Sequence, residues 1–221
     1  MIVSFESELY GIIFLSLRVT LTALTFASLI GVPLGVLLGL KSFRGKFVVT
    51  NTINAIMSMP PVVAGLIVYV LLSNRTGIVG DRRLLFTDTA MILAQFLLAL
   101  PLMIGLTMSV VSQIDNAVYL TAKSLGAMPY QAGAAVVKEA RFGILSGFIV
   151  VFGRLIAEVG AVMMVGGNIR YETRVMTTAI ALQRSMGEFQ TALALGFILL
   201  TISFLITGMI EVVKSLGRVS R

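Results

Sequence analysis

Five long apolar segments follow one another along the chain, separated by short polar intervals. Each is long enough to cross ~30 Å of hydrocarbon as a helix, because a crossing takes about 20 residues. Continuous apolar runs of this length are typical of transmembrane helices. The pattern predicts an all-α integral membrane protein, in which residues 1–221 form one membrane domain with five transmembrane helices at about 19–40, 48–72, 89–111, 144–166 and 192–213.

The first two segments contain residues that an uninterrupted membrane helix would not. The first begins near Leu9 and includes Arg18, whose charge belongs at the membrane boundary. We therefore start the transmembrane helix near Val19 and predict a separate interfacial helix before it. The second contains Pro60 and Pro61, which lack an amide donor and must break or kink the helix. Such a kink serves either a pore wall or helix packing, and both interpretations stay open.

Charged residues decide the orientation. They make up 12% of the chain, against 57% apolar residues, and the mean hydropathy is +1.01. With the N-terminus outside, nine bases face the cytoplasm: Lys41, Arg44, Lys46, Lys123, Lys138, Arg141, Lys214, Arg218 and Arg221. The outer side then holds six: Arg75, Arg82, Arg83, Arg170, Arg174 and Arg184. Because cytoplasmic loops are enriched in Lys and Arg, we predict an external N-terminus and a cytoplasmic C-terminus. This asymmetry accounts for the net charge of +7 without nucleic acid.

Chemistry carried out by the chain itself is not expected. Cysteine and histidine are both absent, so thiolate or imidazole metal sites and histidine bases are excluded, and we predict neither enzyme activity nor a cofactor. The stretch from Gly35 to Ser42 resembles a phosphate-binding loop but has the wrong spacing and follows no strand. With Gly31 and Gly39, Gly35 instead forms a ridge of small residues, which predicts a helix-packing face.

The interval at residues 119–141 has a different pattern from its apolar neighbours. Tyr119 to Leu125 favours a short helix, Gly126 permits a left-handed turn, and Pro129 suits the first turn of a second helix that ends at about Arg141. The orientation above places this helix-turn-helix in the cytoplasm. Its many small residues allow another surface to approach closely, so it is either a docking element or an amphipathic loop on the membrane surface.

This interval resembles the signature loop of ABC importer permeases. With the loop glycine aligned on Gly126, Ala122 matches the second alanine of that signature and Val136 its isoleucine, whereas Leu120 stands in place of the glutamate. Thr121 and Lys138-Glu139 differ from the signature as well. The resemblance implies an ATPase-coupling loop that contains Ala122, Lys123, Ser124, Gly126, Ala127 and Pro129.

A second and more specific resemblance lies downstream. It is carried by residues 153–161 (GRLIAEVGA), by residues 165–169 (VGGNI), and by Thr173, Ala179 and Ile180. These stretches are similar to the oxyanion branch of the permeases, which transport molybdate, tungstate or sulfate, and most of all to the tungstate permeases. The resemblance implies a type I ABC importer permease fold in the cell inner membrane and ATP-driven uptake of tungstate, or next of molybdate. The implied partners are a second copy of the chain, two ATPase subunits and an extracytoplasmic oxyanion-binding protein.

Several residues are candidates for a pore or gate. Arg154 and Glu158 are four residues apart, so they can meet on one helix face, either as a gate near the conduction path or as an internal ion pair. Gly167 and Asn168 tolerate positive φ and end the fourth span. The outer segment at residues 169–190 either meets the binding protein and guides the anion, or is simply solvated, with its arginines balanced by acids of the same segment. Hydroxyl donors for an anion path are Thr20, Thr22, Thr25, Ser58, Thr107 and Ser109.

A secondary anion carrier without an ATPase is the competing function. It would call for an inverted repeat and a buried unpaired carboxylate. Neither is visible in the sequence, so the ATP-driven permease is the preferred interpretation.

Overall fold

The computed structural model describes residues 2–73 and 84–219, and the regular structure in these ranges is helical. The helices are α1 (Ile2–Leu40), α2 (Lys46–Met57), α3 (Pro61–Leu72), α4 (Asp88–Ser112), α5 (Asn116–Ser124), α6 (Pro129–Ile156), α7 (Gly160–Gly166), α8 (Met176–Ser185) and α9 (Phe189–Val219). The predicted outer charges Arg75, Asp81, Arg82 and Arg83, and the C-terminal Arg221, lie outside the described residues.

Three of these helices, α1, α4 and α9, are long and apolar enough to cross a membrane alone. Two bent pairs bring the number of candidate spans up to five: α2 with α3, which meet at 94°, and α6 with α7, which meet at 54°. The described part of the chain therefore offers three to five crossings. The sequence prediction of five corresponds to counting each bent pair as one span.

The long first helix differs from the prediction. α1 continues through Val19 without a break, so the residues before Val19 do not form a separate helix. Arg18 forms an ion pair with Asp88 at 3.1 Å, at the start of α4. Ile12 and Ser16, on the N-terminal side of Val19, are buried. The early part of the helix is thus held by tertiary contacts and belongs to the folded body.

Close packing of α1 against α4 is made possible by the glycine ridge. Gly31 lies against Met103 and Gly39 against Val111, and an added Cβ at Gly31, Gly35 or Gly39 would lie only 2.6 to 2.7 Å from an α4 atom. Because the residue numbers of the contacting positions increase along both helices, α1 and α4 run in the same direction. The prediction that this ridge is a packing face is confirmed, and small residues at such a contact let the two backbones approach.

The kink predicted at the proline pair is confirmed. Pro60 has extended backbone (φ −60°, ψ 132°) and precedes α3, which begins at Pro61. A proline at the first helical position loses no hydrogen bond, so the pair separates α2 from α3 at little cost. α3 then packs beside α7, where Gly65 lies close to Ala161.

The fourth apolar segment is built differently from the prediction. α6 runs without interruption from Pro129 to Ile156, so the second loop helix does not end at Arg141 but continues into the membrane body. The segment is then broken between Ile156 and Gly160, where a continuous helix to Gly166 was predicted. Along its length α6 packs antiparallel to α4.

The segment predicted as polar and outer is partly buried. It contains α8, whose first residues Met176, Thr177, Thr178 and Ala179 are buried. Gly187, at φ 82°, makes the sharp turn from α8 into α9. Residues 169–190 are therefore not a solvated loop throughout, because the beginning of α8 contributes to the core.

Candidate functional site

The break between α6 and α7 places a carboxylate inside the protein. Glu158 is buried, with 4% of its surface exposed. Its Oε1 accepts a hydrogen bond from the backbone N–H of Ala161 at 3.0 Å. Its Oε2 lies 3.8 Å from a guanidinium nitrogen of Arg154. The carboxylate therefore satisfies a free amide at the beginning of α7 and faces a positive charge at the end of α6.

The predicted proximity of Arg154 and Glu158 is observed, but the helix does not extend through both. α6 ends at Ile156, so Glu158 lies just beyond it, in the break. The Arg154 side chain is half exposed, whereas that of Glu158 is 3% exposed. The ion pair therefore reaches from the interior to the protein surface and is not purely internal.

Side chains from two other helices donate to backbone carbonyl groups at the break. Gln95 of α4 donates from Nε2 to the carbonyl of Leu155 at 3.2 Å, and Thr177 of α8 donates to the carbonyl of Glu158 at 2.8 Å. Unpaired carbonyls at membrane depth would be costly. Gln95 and Thr177 therefore hold α4, α6 and α8 together at this point.

These two residues were not selected from the sequence. Together with Ser16, Thr20 and Glu158 they line a cavity of about 10 Å³, roughly the size of one water. The Oε1 atom of Gln95 is buried and has no hydrogen-bond partner among the described residues. The available signal was an amide side chain in the middle of an apolar segment, since such a residue in a membrane helix needs a polar partner.

Gly167 and Asn168 end α7 as predicted. Both have positive φ, 69° at Gly167 and 54° at Asn168. A Cβ at Gly167 would meet the ring of Phe86 at 2.7 Å. Thr173 fixes the following turn: its hydroxyl donates to the Gly166 carbonyl and accepts from the Ile169 amide. These contacts stabilise the turn, and they neither support nor exclude a gate.

Two of the arginines predicted to lie outside have a partner that the sequence did not indicate. Arg170 donates to Glu8 from Nε at 3.1 Å and from a terminal nitrogen at 2.6 Å, and Arg174 reaches the same carboxylate at 3.2 Å. Glu8 raises the pKa of the Arg170 guanidinium above its usual value through these hydrogen bonds. Glu8, and not an acid of the same segment, thus balances these two arginines and ties α1 to the turn before α8.

Most of the predicted hydroxyl donors do not form one lining. Thr20 and Thr107 are buried. Thr25 donates to the Leu21 carbonyl of its own helix, and Ser58 does the same to Asn54. The remaining two, Thr22 and Ser109, make no side-chain hydrogen bond to any of the others among the described residues.

The predicted helix-turn-helix is observed, with a shifted first helix. α5 begins at Asn116, where the side chain of Asp115 caps it by accepting from the Ala117 amide at 2.8 Å. Gly126 has φ 86°, and the next amide, that of Ala127, bonds back to the Ala122 carbonyl at 3.0 Å. This left-handed ending is the usual way for a glycine to terminate a helix.

Large apolar side chains surround this turn and are open to solvent. The most exposed is Leu125 at 83%, and the others are Leu120, Met128 and Tyr130. The base of the unit is held by a small core in which Val118 and Tyr119 of α5 pack near Val136 of α6. The result is an anchored turn with an apolar tip, which is typical of a surface that docks onto another protein.

A membrane permease is the class that this fold defines: an all-helical body with broken spans and an apolar turn held outside it. The chain belongs to the family described as "Binding-protein-dependent transport system inner membrane component", which matches residues 31–216. It is a multi-pass protein of the cell membrane and a transport permease, not an enzyme.

Two relatives match almost the whole chain. The tungstate uptake system permease protein TupB of Peptoclostridium acidaminophilum is 43% identical over 95% of this chain and 92% of its own length. A probable anion ABC transporter permease protein of Haloferax volcanii is 39% identical over 88% of this chain and 85% of its own.

Solved structures show the same fold at low identity. A bacterial ABC transporter that imports the polysaccharide alginate gives a TM-score of 0.78 at 17% identity, over 94% of this chain and 79% of that chain. The MetNI methionine ABC transporter in inward-facing conformations gives 0.75 at 18%, over 96% and 97%. The predicted type I ABC importer permease fold is confirmed.

Proposed function

We propose that the chain is the permease of an ATP-driven oxyanion importer, with tungstate as its first substrate and molybdate as the next. The observation that carries the proposal is the 43% identity to a tungstate uptake permease over nearly the full length of both chains. The aligned stretch includes the region of the α6–α7 break, since it covers 95% of this chain.

The working unit in this proposal is a homodimer with two ATPase subunits on the cytoplasmic side and an oxyanion-binding protein outside. The N-terminus of each permease copy faces outward. The tip formed by Leu125, Met128 and Tyr130 docks on the ATPase, and Gly126 sets the angle between α5 and α6. The exposure of this tip supports the assignment, because a free monomer gains nothing from apolar side chains in water.

α6 then serves as the lever that connects the ATPase with the membrane body. It has 28 residues, or roughly 42 Å at 1.5 Å per residue, and it runs from the docking turn to the break at Glu158. ATP binding closes the two ATPase subunits and moves the turns. Both permease copies then rock between inward-open and outward-open states, with the breaks at Glu158 and Pro60 as the points of bending.

Transport in proteoliposomes tests the function. The chain is reconstituted with its ATPase and its binding protein, and tungstate uptake is measured with and without ATP. We expect uptake only when ATP and both partners are present. Uptake of tungstate down an ion gradient by the chain alone would replace the proposal with a secondary carrier.

A variant of the tip separates docking from folding. Leu125→Glu places a charge on the apolar tip, so we expect ATPase copurification and ATP-driven uptake to fall by at least tenfold while the thermal midpoint of the isolated chain stays the same. The matched control is Ser112→Ala, an exposed position just before the loop whose hydroxyl bonds only to its own helix. Unchanged ATPase binding by Leu125→Glu would contradict the docking assignment.

A further inference from the structure

A cavity of about 410 Å³ lies between the N-terminal part of α1, α8 and the beginning of α9. Its walls are mainly apolar and include Leu9, Ile12, Leu182, Met186 and Leu195. Its polar lining includes the cluster of Glu8, Arg170 and Arg174. One space therefore combines an apolar wall with a charged group.

The charged group keeps a positive excess. Two guanidinium groups share the single carboxylate of Glu8, which leaves one net positive charge. The side chain of Arg174 is only 15% exposed, and its Nε is buried without a hydrogen-bond partner among the described residues. The side chain of Arg170 is 57% exposed, so its guanidinium presents the excess positive charge to an anionic group that enters the cavity.

The cavity lies where two candidate membrane spans begin, since the apolar stretches of α1 and α9 start at Glu8 and Phe189. A hydrated inorganic oxyanion would lose water against the apolar wall without compensation. An amphiphile with an anionic head and an apolar chain satisfies both parts of the cavity. We propose that it binds an anionic phospholipid from the leaflet at the N-terminal end of α1, with the headgroup phosphate at Arg170 and Arg174 and an acyl chain along the wall that includes Leu182 and Leu195.

Native mass spectrometry of the full-length chain in detergent tests this site. Phosphatidylglycerol and phosphatidylcholine with identical acyl chains are titrated separately. We expect phosphatidylglycerol to bind more tightly, and Arg170→Gln and Arg174→Gln each to reduce that preference about fivefold, the factor that corresponds to about 1 kcal/mol per arginine near a lipid headgroup. Arg170 is more than half exposed, so its replacement keeps the test usable even if Arg174→Gln fails to fold.

The control variant is Arg184→Gln, an arginine of α8 that lines a different groove. It should keep the full preference for phosphatidylglycerol. Equal binding of the two lipids, or an equal loss in Arg184→Gln, would overturn the site. Inorganic phosphate that bound as tightly as phosphatidylglycerol would also overturn the site, because the apolar wall would then contribute nothing. Lipid binding by the monomer but not by the dimer would overturn it too, because a second copy of the chain would then close the cavity. Neither ATP nor transport enters the measurement, so its result is independent of the proposed function.

Discussion

At the scale of single residues, Glu158 illustrates how a membrane helix can be interrupted. An interruption frees amides at the beginning of one helix and carbonyls at the end of the other, and lipid offers nothing to pair with them. Here the carboxylate accepts from the Ala161 amide, while Gln95 and Thr177 donate to carbonyls of the break. The interruption is therefore stabilised by side-chain hydrogen bonds from Glu158 within the break, from Gln95 of α4 and from Thr177 of α8.

Removal of the Glu158 acceptor should destabilise the chain. Glu158→Ala leaves the buried Ala161 amide unpaired, which costs about 1–3 kcal/mol, whereas Glu158→Gln keeps an acceptor in place and should cost clearly less. Thermal unfolding of the purified chain in detergent measures both. Glu172→Ala, an exposed carboxylate of the outer turn, is the matched control. Equal midpoints for Glu158→Ala and Glu158→Gln would show that the hydrogen bond to Ala161 does not stabilise the break.

The residues that could be predicted well from the sequence are those whose role depends on their own backbone conformation. Gly126, Gly167 and Pro61 require or favour particular φ values, and each takes up the predicted conformation. Gln95 and Thr177 could not be selected in the same way. Their hydrogen-bond partners are 60 and 19 residues away along the chain, so their role follows from the tertiary structure alone.

At the scale of helices, the contact of α1 with α4 depends on the absence of side chains along the glycine ridge. A Cβ at Gly35 would lie 2.6 Å from the Cβ of Thr107 and 2.7 Å from the Ile104 carbonyl oxygen. Since a backbone carbonyl cannot rotate away as a flexible side chain can, the two helices would have to separate. The ridge thus fixes both the distance and the register of α1 on α4.

Gly35→Ala should consequently destabilise the chain although alanine favours helices. We expect a cost of about 1–3 kcal/mol from overpacking, measured as a lower thermal midpoint in detergent. Gly11→Ala is the control in the same helix, because nothing lies within 4 Å of its added Cβ. It should leave the midpoint unchanged or raise it slightly. A Gly35→Ala chain as stable as the Gly11→Ala chain would mean that α1 and α4 are not closely packed.

The length of α6 could not be predicted from hydrophobicity. Lys138, Glu139 and Arg141 predicted an end at the membrane surface, since charges do not belong in hydrocarbon. A helix need not end at the membrane surface, however, and α6 continues through this polar stretch with its backbone hydrogen bonds intact. The opposite error occurred at its other end, where residues 154–159 contain no proline or glycine and the pattern gave no sign that the helix stops at Ile156.

At the scale of the whole molecule, the relative directions of the helices agree with five crossings. α1 and α4 run in the same direction, and α6 runs against α4, as its contact between Gly143 and Val110 and that between Gly147 and Leu106 require. First and third spans are parallel in any chain that crosses five times, and the fourth opposes the third. The packing of the helices determines their relative directions. Which side of the protein faces outward is predicted from the distribution of lysine and arginine.

Cysteine labelling in intact cells can establish that side, because the chain contains no cysteine of its own. Glu172→Cys, in the exposed turn before α8, should react with a membrane-impermeant maleimide added outside. Lys123→Cys, in exposed α5, should react only after the membrane is permeabilised. These two positions lie at opposite ends of α6 and α7, so a single crossing separates them. The reverse pattern would invert the orientation and move the apolar tip to the outside, where no ATPase could reach it. Labelling of both positions from outside would mean that α6 and α7 together do not cross the membrane.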